Sequence, residues 1–304
     1  MRARAVLTVT FALGALLAWA SAGAAPTRTP PPAAPATEAR AGAGIAVLTP
    51  PQSEAVLIRG GTFMMGADEL EVAHALAICR LEPARDACDE ALFAPEYPPH
   101  EVLLSDYWLD RTEVTVARYR RCVAAGSCAE PPYASGGERF DRPDLPVTLV
   151  TWNDARIFCA WTGGRLPTEA EWERAARGLG QRRYPWGNVW NPSLLNHGSF
   201  GWDTLDADDG FLELAPVGSF RDGRTPDGLA DMAGNVEEWI ADWYAPEYPH
   251  TSSVNPHGPD LGELRVLRGG SFVLGRPWLR GTSRMRDLPT SRRAYRGFRC
   301  ARDA

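Results

Sequence analysis

One short segment, residues 168–178, specifies its own secondary structure at most of its positions. Thr168 is a preferred N-cap residue, and Glu171 stands three positions later, where its carboxylate can accept a hydrogen bond from the Thr168 amide in a capping box. Trp172 begins an apolar stripe at helical spacing, and Gly178 is a typical stop residue. The segment predicts a helix that packs one side into a hydrophobic core, so the chain must supply that core.

The same signals predict two more helices. Residues 115–125 begin at the capping residue Thr115 and end before Gly126, and residues 152–162 follow the capping residue Thr151. Two or three helices are all that the pattern predicts. Strands are predicted at residues 55–58 and 102–109, and residues 59–66, in which glycine turns alternate with Phe63 and Met65, are interpreted as a hairpin that enters the core.

Two other stretches lack a regular period. Residues 67–97 are interpreted as an acidic insertion at the surface of the domain. Beyond Gly178 the helical period is lost as far as Tyr244, and Gly, Pro, Asn, Asp and Trp predominate. So long an irregular stretch is uncommon in a compact domain unless something other than backbone ladders holds it. Disulfides, tryptophans and metal ions are the candidates.

The N-terminal residues predict export. Residues 1–24 combine Arg2 and Arg4 with an apolar run and small residues that suit a signal peptidase, so they are interpreted as a signal peptide. The apolar run is short for a bilayer span of ~20 residues, and no membrane span is expected after cleavage. Residues 25–53 are a Pro- and Ala-rich linker, and residues 54–304 form the folded domain. The mature protein is predicted to be secreted or periplasmic.

The charge balance bears on possible partners. The chain has 32 Lys and Arg against 38 Asp and Glu, a net charge of −6. Loss of Arg2 and Arg4 with the signal peptide would make it 30 − 38 = −8. An acidic protein is repelled by nucleic acid and by anionic membrane surfaces, so neither is expected as a partner.

Six cysteines in an exported chain are expected to form disulfides. Two pairs lie close together in the sequence, where each could close a local loop. They are Cys79 with Cys88 and Cys122 with Cys128. Cys159 and Cys300 remain.

Five motifs carry a family resemblance. They are RLPTEAEWERAARG from Arg165, YPWGN from Tyr184, DMAGNVEEWIADWY from Asp231, RVLRGGSF from Arg265 and GFRCARD from Gly297. In this order they resemble the formylglycine-generating enzyme family, also called sulfatase-modifying factors. The resemblance implies an α+β, C-type-lectin-like fold with little regular secondary structure. It also implies a structural disulfide between Cys159 and Cys300.

The resemblance fails at the family's catalytic residues. Family members that make formylglycine use two cysteines just beyond the GGS motif, whose soft thiolates bind Cu(I) and activate oxygen. Leu274 and Leu279 stand at those positions here, although Ser271 of the motif is retained. Leucine cannot ligate copper, so neither copper nor the oxidase reaction is expected.

The family's calcium sites map onto residues that could still bind the ion. Hard cations take six to eight oxygen ligands from carboxylates, amides and main-chain carbonyls. An Asx-rich network of turns without metal is the alternative. The first predicted site comprises Asp231, Gly234, Val236 and Glu238, and the second comprises Asn196, His197, Asp209 and Phe211.

The remaining features leave several functions open. Arginines cluster between Arg276 and Arg299, where self-pairing with acids of the same chain is favoured over contact with an acidic ligand. The preferred function is binding of a peptide, protein or envelope ligand by a catalytically altered family member. The alternatives are a copper-independent oxidoreductase and a structural adhesion module.

Overall fold

A computed structural model describes residues 55–133, 137, 139–199, 205, 207–248 and 253–304. The predicted signal peptide and linker lie outside these ranges. In the described ranges no helix is both long and apolar enough to cross a membrane. The helices are α1 (Glu69–Cys79), α2 (Val116–Ala124), α3 (Trp152–Trp161) and α4 (Glu169–Arg177). The strands are β1 (Ala55–Ile58), β2 (Gly61–Met65), β3 (His100–Leu104), β4 (Tyr107–Asp110), β5 (Glu237–Trp243), β6 (Arg265–Arg268), β7 (Met285–Asp287), β8 (Arg296–Gly297) and β9 (Ala301–Asp303).

Three small sheets organise these strands. The first has the order β1-β4-β9, the second pairs β2 with β3, and the third has the order β7-β6-β5-β8. All pairs are antiparallel except β5 with β8. Since β9 lies near the end of the chain and pairs with β4, the two ends of the described domain meet in one sheet. The α+β prediction is confirmed.

The capping signals in the sequence correctly located three helices. The hydroxyl oxygens of Thr115, Thr151 and Thr168 each accept a hydrogen bond from the amide three residues later, at the starts of α2, α3 and α4. Glu171 also accepts from the Thr168 amide at 2.8 Å, which completes the predicted capping box. Gly178 ends α4 with a φ of +65°, a left-handed conformation that favours glycine.

Helix α1 corrects the interpretation of residues 67–97 as a surface insertion. Asp68 caps this helix by accepting from the Glu71 amide at 2.8 Å, and both Ala75 and Cys79 are fully buried. Apolar residues surround the α1 axis without forming a stripe, so the helical period is invisible in the sequence. One side of α1 and Phe93 therefore belong to the core, whereas residues 80–92 lie at the surface as predicted.

Two strand predictions also need correction. The predicted strand 102–109 is broken at Ser105 and Asp106, and its halves belong to different sheets. The stretch from 178 to 244 is irregular only as far as β5, whose first four residues are all buried. A strand buried on both faces shows no alternation of polar and apolar residues, which is why the pattern missed it.

The largest core cluster surrounds α4. Trp172 is fully buried and packs with residues of β2 and β3, including Phe63 and Val102. A second cluster contains Phe158, Trp239 and Phe298. The apolar side that residues 168–178 predict is thus the centre of the domain.

All six cysteines of the chain form disulfides, as predicted. The three bridges are Cys79–Cys88, Cys122–Cys128 and Cys159–Cys300. No free thiol remains. Disulfides of this kind are typical of oxidising compartments, which fits the predicted export.

Several of the C-terminal arginines pair with acids of the same chain, as the sequence analysis favours. The pairs are buried, and most join residues far apart in the sequence. They contribute to the internal framework and are not available to a ligand. They are Arg268–Glu173 at 2.5 Å, Arg280–Glu96 at 2.6 Å, Arg284–Glu169 at 2.7 Å, Arg296–Glu237 at 2.9 Å and Arg299–Glu238 at 2.7 Å.

A buried carboxyl group on β5 makes stability depend on pH. Asp242 accepts a hydrogen bond at 2.9 Å from the amide of Glu169, the first residue of α4. Burial raises the pKa of Asp242 to about 8, and the Glu169 carboxylate adds to the shift. In the unfolded chain the pKa of an aspartate is about 3.9. Between about pH 4 and pH 8, Asp242 therefore keeps its proton in the folded protein and loses it in the unfolded chain. The free energy of unfolding falls as the pH rises through this window.

Replacing Asp242 by asparagine should flatten this dependence. Asparagine keeps an acceptor for the Glu169 amide but has no proton to lose. We expect the variant to melt several degrees above the wild type at about pH 9, and close to it at about pH 5. Thermal melts across this range measure the difference. Parallel curves for the two proteins would show that Asp242 ionises normally in the fold.

Candidate functional site

The positions of the family's copper cysteines lie in the interior. They follow β6 and a sharp turn, in which a side chain on Gly270 would lie 2.8 Å from the Trp278 carbonyl oxygen. Leu274 packs with Phe93 and Trp278, and Leu279 packs in a separate apolar cluster. Both leucines are buried, with exposed fractions of 3% and 0%. These positions therefore contribute to packing and present no metal ligand.

Helix α1 and the residues after it close over Leu274. Val72, Ala75 and Cys79 of α1 belong to the same apolar cluster as Leu274. The ring of Phe93 lies 5.2 Å from that of Trp278, centroid to centroid. Next to them the carboxylate of Glu96 receives both terminal nitrogens of Arg280 at 2.6 Å. The segment that follows β2 thus covers this side of the site.

Ser271, the retained residue of the motif, is also inaccessible. Its side chain is fully buried, and its hydroxyl oxygen has no hydrogen-bond partner within the described ranges. Its main-chain carbonyl accepts from the Leu274 amide at 2.9 Å. Ser271 therefore shapes the turn after β6 and does not face solvent as a nucleophile.

The side nearest Leu279 is more open, and aromatic and cationic groups lie there. We call Arg183, Trp186, Trp190 and Arg276 the Trp190 face. Trp186 and Trp190 are half-buried and pack against the cluster that contains Leu279. The Arg276 guanidinium lies 5.7 Å from the Trp190 ring centroid. Among the described residues no acid pairs with Arg183 or Arg276, so this face keeps its positive charge.

The positive charge of these arginines also affects His74 of α1. Burial lowers the pKa of His74, and the guanidinium groups of Arg183, Arg276 and Arg280 lower it further. Within the described ranges its Nε2 atom has no hydrogen-bond partner. The imidazole is therefore neutral near pH 7, and the arginines carry the charge of the region. Sequence analysis did not single out His74 or Arg183, because neither lies in a motif.

The residues of the second predicted calcium site lie together. The Asp209 carboxylate accepts from the amide of His197 at 2.7 Å and from that of Phe211 at 2.8 Å. Asn196 is buried, and its side-chain oxygen has no hydrogen-bond partner in the described part of the chain. An orphaned buried oxygen beside a carboxylate fits a hard cation, so this donor set is compatible with calcium.

The first predicted site is more crowded. Both carboxylate oxygens of Glu238 receive hydrogen bonds from Arg299, and one also accepts from the Trp172 indole at 2.9 Å. Arg299 also donates to the carbonyl of Asp231 at 3.3 Å. A calcium ion would have to share Glu238 with this arginine, and the main-chain oxygens of Gly234 and Val236 would complete the set. Calcium at this site stays a prediction.

A second acid stands beside the first predicted site and was missed by sequence reasoning. Glu113 is fully buried, and its Oε1 atom accepts from Asn235 at 3.0 Å. Burial raises the pKa of Glu113 well above its usual range, and the neighbouring Asp231 carboxylate adds to the shift. Burial also raises the pKa of Asp231. Both carboxyl groups are therefore harder to ionise in the folded protein than in water.

Asn235 links the two predicted calcium sites. Its amide donates to the Asn196 carbonyl at 2.9 Å, and its side-chain oxygen accepts from the Asn196 side chain at 3.0 Å. Its φ of +58° is a left-handed conformation that asparagine tolerates better than most residues. The Gly234-Asn235 pair is the feature of the sequence that could have indicated this turn. In the described ranges no group of three or more His, Cys, Asp or Glu side chains could hold a metal, so calcium at either predicted site would need amide and main-chain oxygens as further ligands.

Comparison with known proteins gives a consistent result. Residues 46–304 match the sulfatase-modifying factor enzyme 1-like domain family. The chain is 38% identical over 260 residues to the formylglycine-generating enzyme of Streptomyces coelicolor, an alignment that covers 69% of this chain and 82% of that protein. It is 41% identical over 180 residues to the inactive C-alpha-formylglycine-generating enzyme 2 of Mus musculus, covering 57% and 54% of the two chains.

A solved structure supports the fold. PvdO from Pseudomonas aeruginosa matches with a TM-score of 0.64 and 26% identity, over 83% of this chain and 95% of that one. This neighbour has the C-type-lectin-like fold of formylglycine-generating enzymes, so the predicted fold is confirmed. Because the family match extends from residue 46 to the last residue of the described domain, the chain belongs to the sulfatase-modifying factor family.

Proposed function

We propose that this chain is an exported, catalytically altered member of the family that binds a peptide or protein ligand and does not generate formylglycine. The burial of Leu274 and Leu279 carries the proposal, because the reaction in related enzymes needs two thiolates at these positions. Every cysteine of the chain forms a disulfide elsewhere. The similarity to an inactive mouse relative supports a family member without the activity.

The Trp190 face is the surface that we propose for the ligand. It combines half-buried aromatic rings with arginines that no described acid neutralises. Tryptophan and arginine are the residues that most often dominate binding energy at protein interfaces. A positive face on an acidic protein also selects ligands by charge. We therefore infer a peptide or protein segment with acidic side chains as the ligand.

The reaction can be tested with a cysteine-containing sulfatase peptide. We expect no aldehyde in the peptide after incubation with the protein, Cu(I) and oxygen, because no thiolate is present to bind the metal. Mass spectrometry of the peptide gives the answer, with a protein-free sample as the control. Aldehyde formation well above that control would overturn the proposal. Leu274→Cys combined with Leu279→Cys is the variant that restores the family's ligand pair.

Binding is tested separately with a fluorescently labelled acidic peptide. We expect Arg276→Gln to weaken binding by about tenfold, since a charge-assisted hydrogen bond contributes about 1.5–3 kcal/mol. Arg121→Gln is the matched control, because Arg121 is an exposed arginine of α2. Fluorescence anisotropy measures both. Equal affinities for the two variants would remove the Trp190 face from the binding site.

Calcium is proposed as a structural ion at the second site. Binding to the native state alone stabilises a protein by RT ln(1 + [L]/Kd), about 2.7 kcal/mol at a hundredfold excess over Kd. We expect a chelator to lower the melting temperature of the wild type, and to lower that of Asp209→Asn much less. Calorimetry with and without calcium checks this. If the wild type melts at the same temperature in both solutions, the sites are networks of turns without metal.

A further inference from the structure

A pocket lies away from the Trp190 face, and none of the residues that line it belongs to that face. Its volume is 720 Å³, within the range of about 300–1,000 Å³ that small-molecule sites occupy. It lies between the first turns of α3, strand β4 and the segment around His257. We call it the Arg265 pocket. Among the residues that line it are Tyr107, Trp152, Arg156, Leu166, Ala241 and Arg265.

Arg265 is held in place but not neutralised. Its guanidinium lies between two indole rings, 3.7 Å from the Trp152 centroid and 3.4 Å from the Trp243 centroid. Burial lowers the pKa of Arg265 to about 10, the Asp242 carboxylate opposes this shift, and the Arg156 guanidinium adds to it. The pKa of Asp242 is itself raised to about 8, so near pH 7 this group is mostly neutral. Its nearest acid therefore gives Arg265 little compensation.

The side-chain acids around the pocket are already paired. Asp106 binds Arg59 at 2.6 Å, and Arg165 binds both Glu171 at 2.7 Å and Asp303 at 2.6 Å. Arg59 and Asp106 cancel each other, whereas Arg165 faces two carboxylates, so this group of three keeps one negative charge against the two positive charges of Arg156 and Arg265.

Arg156 has a different partner. Its side chain is exposed and donates to the amide oxygen of Asn153 at 3.0 Å, which leaves its charge uncompensated. In the described ranges no ion pair involves Arg156 or Arg265. Two guanidinium groups without an ion-pair partner thus border one pocket. Nη1 of Arg265 donates to the Ala241 carbonyl and its Nε is buried, so Nη2 is the donor that Arg265 can offer to an anion.

The rest of the lining limits the kind of anion. Leu166 and Ala241 present hydrocarbon, and Tyr107 and Trp152 present aromatic rings. A fully hydrated inorganic ion would gain little from such walls, whereas an organic acid could bury its apolar body there. Guanidinium groups match the planar carboxylate in geometry as well as in charge.

We propose that the Arg265 pocket binds a small organic carboxylate, whose charged group is received by Arg156 and Arg265 and whose apolar body lies against Trp152 and Leu166. The site is independent of the proposed peptide-binding function, since the two surfaces share no residue. It is also independent of calcium, whose predicted ligands lie elsewhere.

The test uses benzoate as the probe and benzamide as its neutral analogue of the same shape. Isothermal titration is made on the wild type, on Arg156→Gln and Arg156→Lys, and on Arg121→Gln as a control at a distant exposed arginine. We expect benzoate to bind the wild type and Arg121→Gln alike, and Arg156→Gln to weaken it about tenfold. Arg156→Lys should retain part of the affinity, because it keeps the charge.

Three results would overturn the proposal. One is benzamide binding as tightly as benzoate, which would make the pocket apolar and not anion-selective. Another is benzoate binding that neither Arg156→Gln nor a folded Arg265→Gln weakens, which would place the probe elsewhere. The third is the absence of benzoate binding up to saturating concentrations.

Discussion

Glu173→Gln is expected to destabilise the domain by about 3–5 kcal/mol, the usual cost of removing one partner from a buried ion pair. Glu173 is fully buried on α4 and compensates two buried arginines, Arg268 at 2.5 Å and Arg177 at 2.9 Å. It also accepts from the Gly66 amide at 2.8 Å, which connects α4 to the end of β2. Glutamine has nearly the same shape but no charge. Arg177 would then keep only Glu71, at 3.0 Å, and Arg268 would keep only Glu169, at 3.6 Å, so the positive charge in the core would be undercompensated.

The measurement is urea unfolding followed by circular dichroism. A change of this size lowers the melting temperature by on the order of 10 °C in a domain of this length. Asp144→Asn is the control, because Asp144 pairs with Arg142 at the surface, where the two side chains are 52% and 57% exposed. Exposed pairs contribute about 0–1 kcal/mol. If both variants lost the same small amount, the charge of Glu173 would not matter to the fold.

The helices show how far local signals reach. The capping threonines before α2, α3 and α4 located these helices in the sequence because a cap is a contact between residues three positions apart. Strand β5 was missed because it is buried on both faces. Helix α1 was missed because apolar residues such as Leu70 also lie on its exposed side, so it shows no amphipathic period. Helix α4 was predicted although all of its residues are buried, because its cap and its stop residue are local signals.

The sequence predicted that long-range ion pairs would form, but it did not predict which residues would pair. The sequence indicated that the C-terminal arginines pair internally, but Arg280 and Glu96 are 184 residues apart, and no spacing rule connects them. At the candidate site the motif located Leu274 and Leu279 at once. It gave no sign that α1 covers Leu274, or that Glu113 lies beside Asp231, since those contacts arise only when distant segments meet.

The Arg265 pocket illustrates the same limit at a binding site. Its two unpaired arginines are 109 positions apart in the sequence, one on α3 and one on β6. Arg265 opens the RVLRGGSF motif and Arg156 lies in no motif, and neither position signals a binding site in the sequence. Only the fold reveals that the acids between them are paired elsewhere. Charge that is uncompensated in three dimensions is therefore a better guide to such a site than charge counted along the chain.

Loss of the Cys159–Cys300 disulfide should destabilise the domain more than loss of any other bridge. The two cysteines are 141 residues apart, and in the chain-entropy relation a closed loop of that length contributes about 5 kcal/mol. The Cys122–Cys128 bridge, with a separation of 6, contributes about 2 kcal/mol by the same relation. Both bridges are joined to α-helices of the same core, so their removal changes packing in similar ways.

The comparison is therefore between two double variants, Cys159→Ala with Cys300→Ala and Cys122→Ala with Cys128→Ala. We expect the free energy of unfolding in urea to fall by about 2–3 kcal/mol more in the first. Only the length of the closed loop predicts that difference, because each variant exchanges one buried disulfide for two alanines. Equal losses would mean that local packing, and not restriction of the unfolded chain, accounts for the stability that these bridges provide. A larger loss in the first variant would show that a single covalent link joins α3 to the last strand and restrains the irregular segments between them.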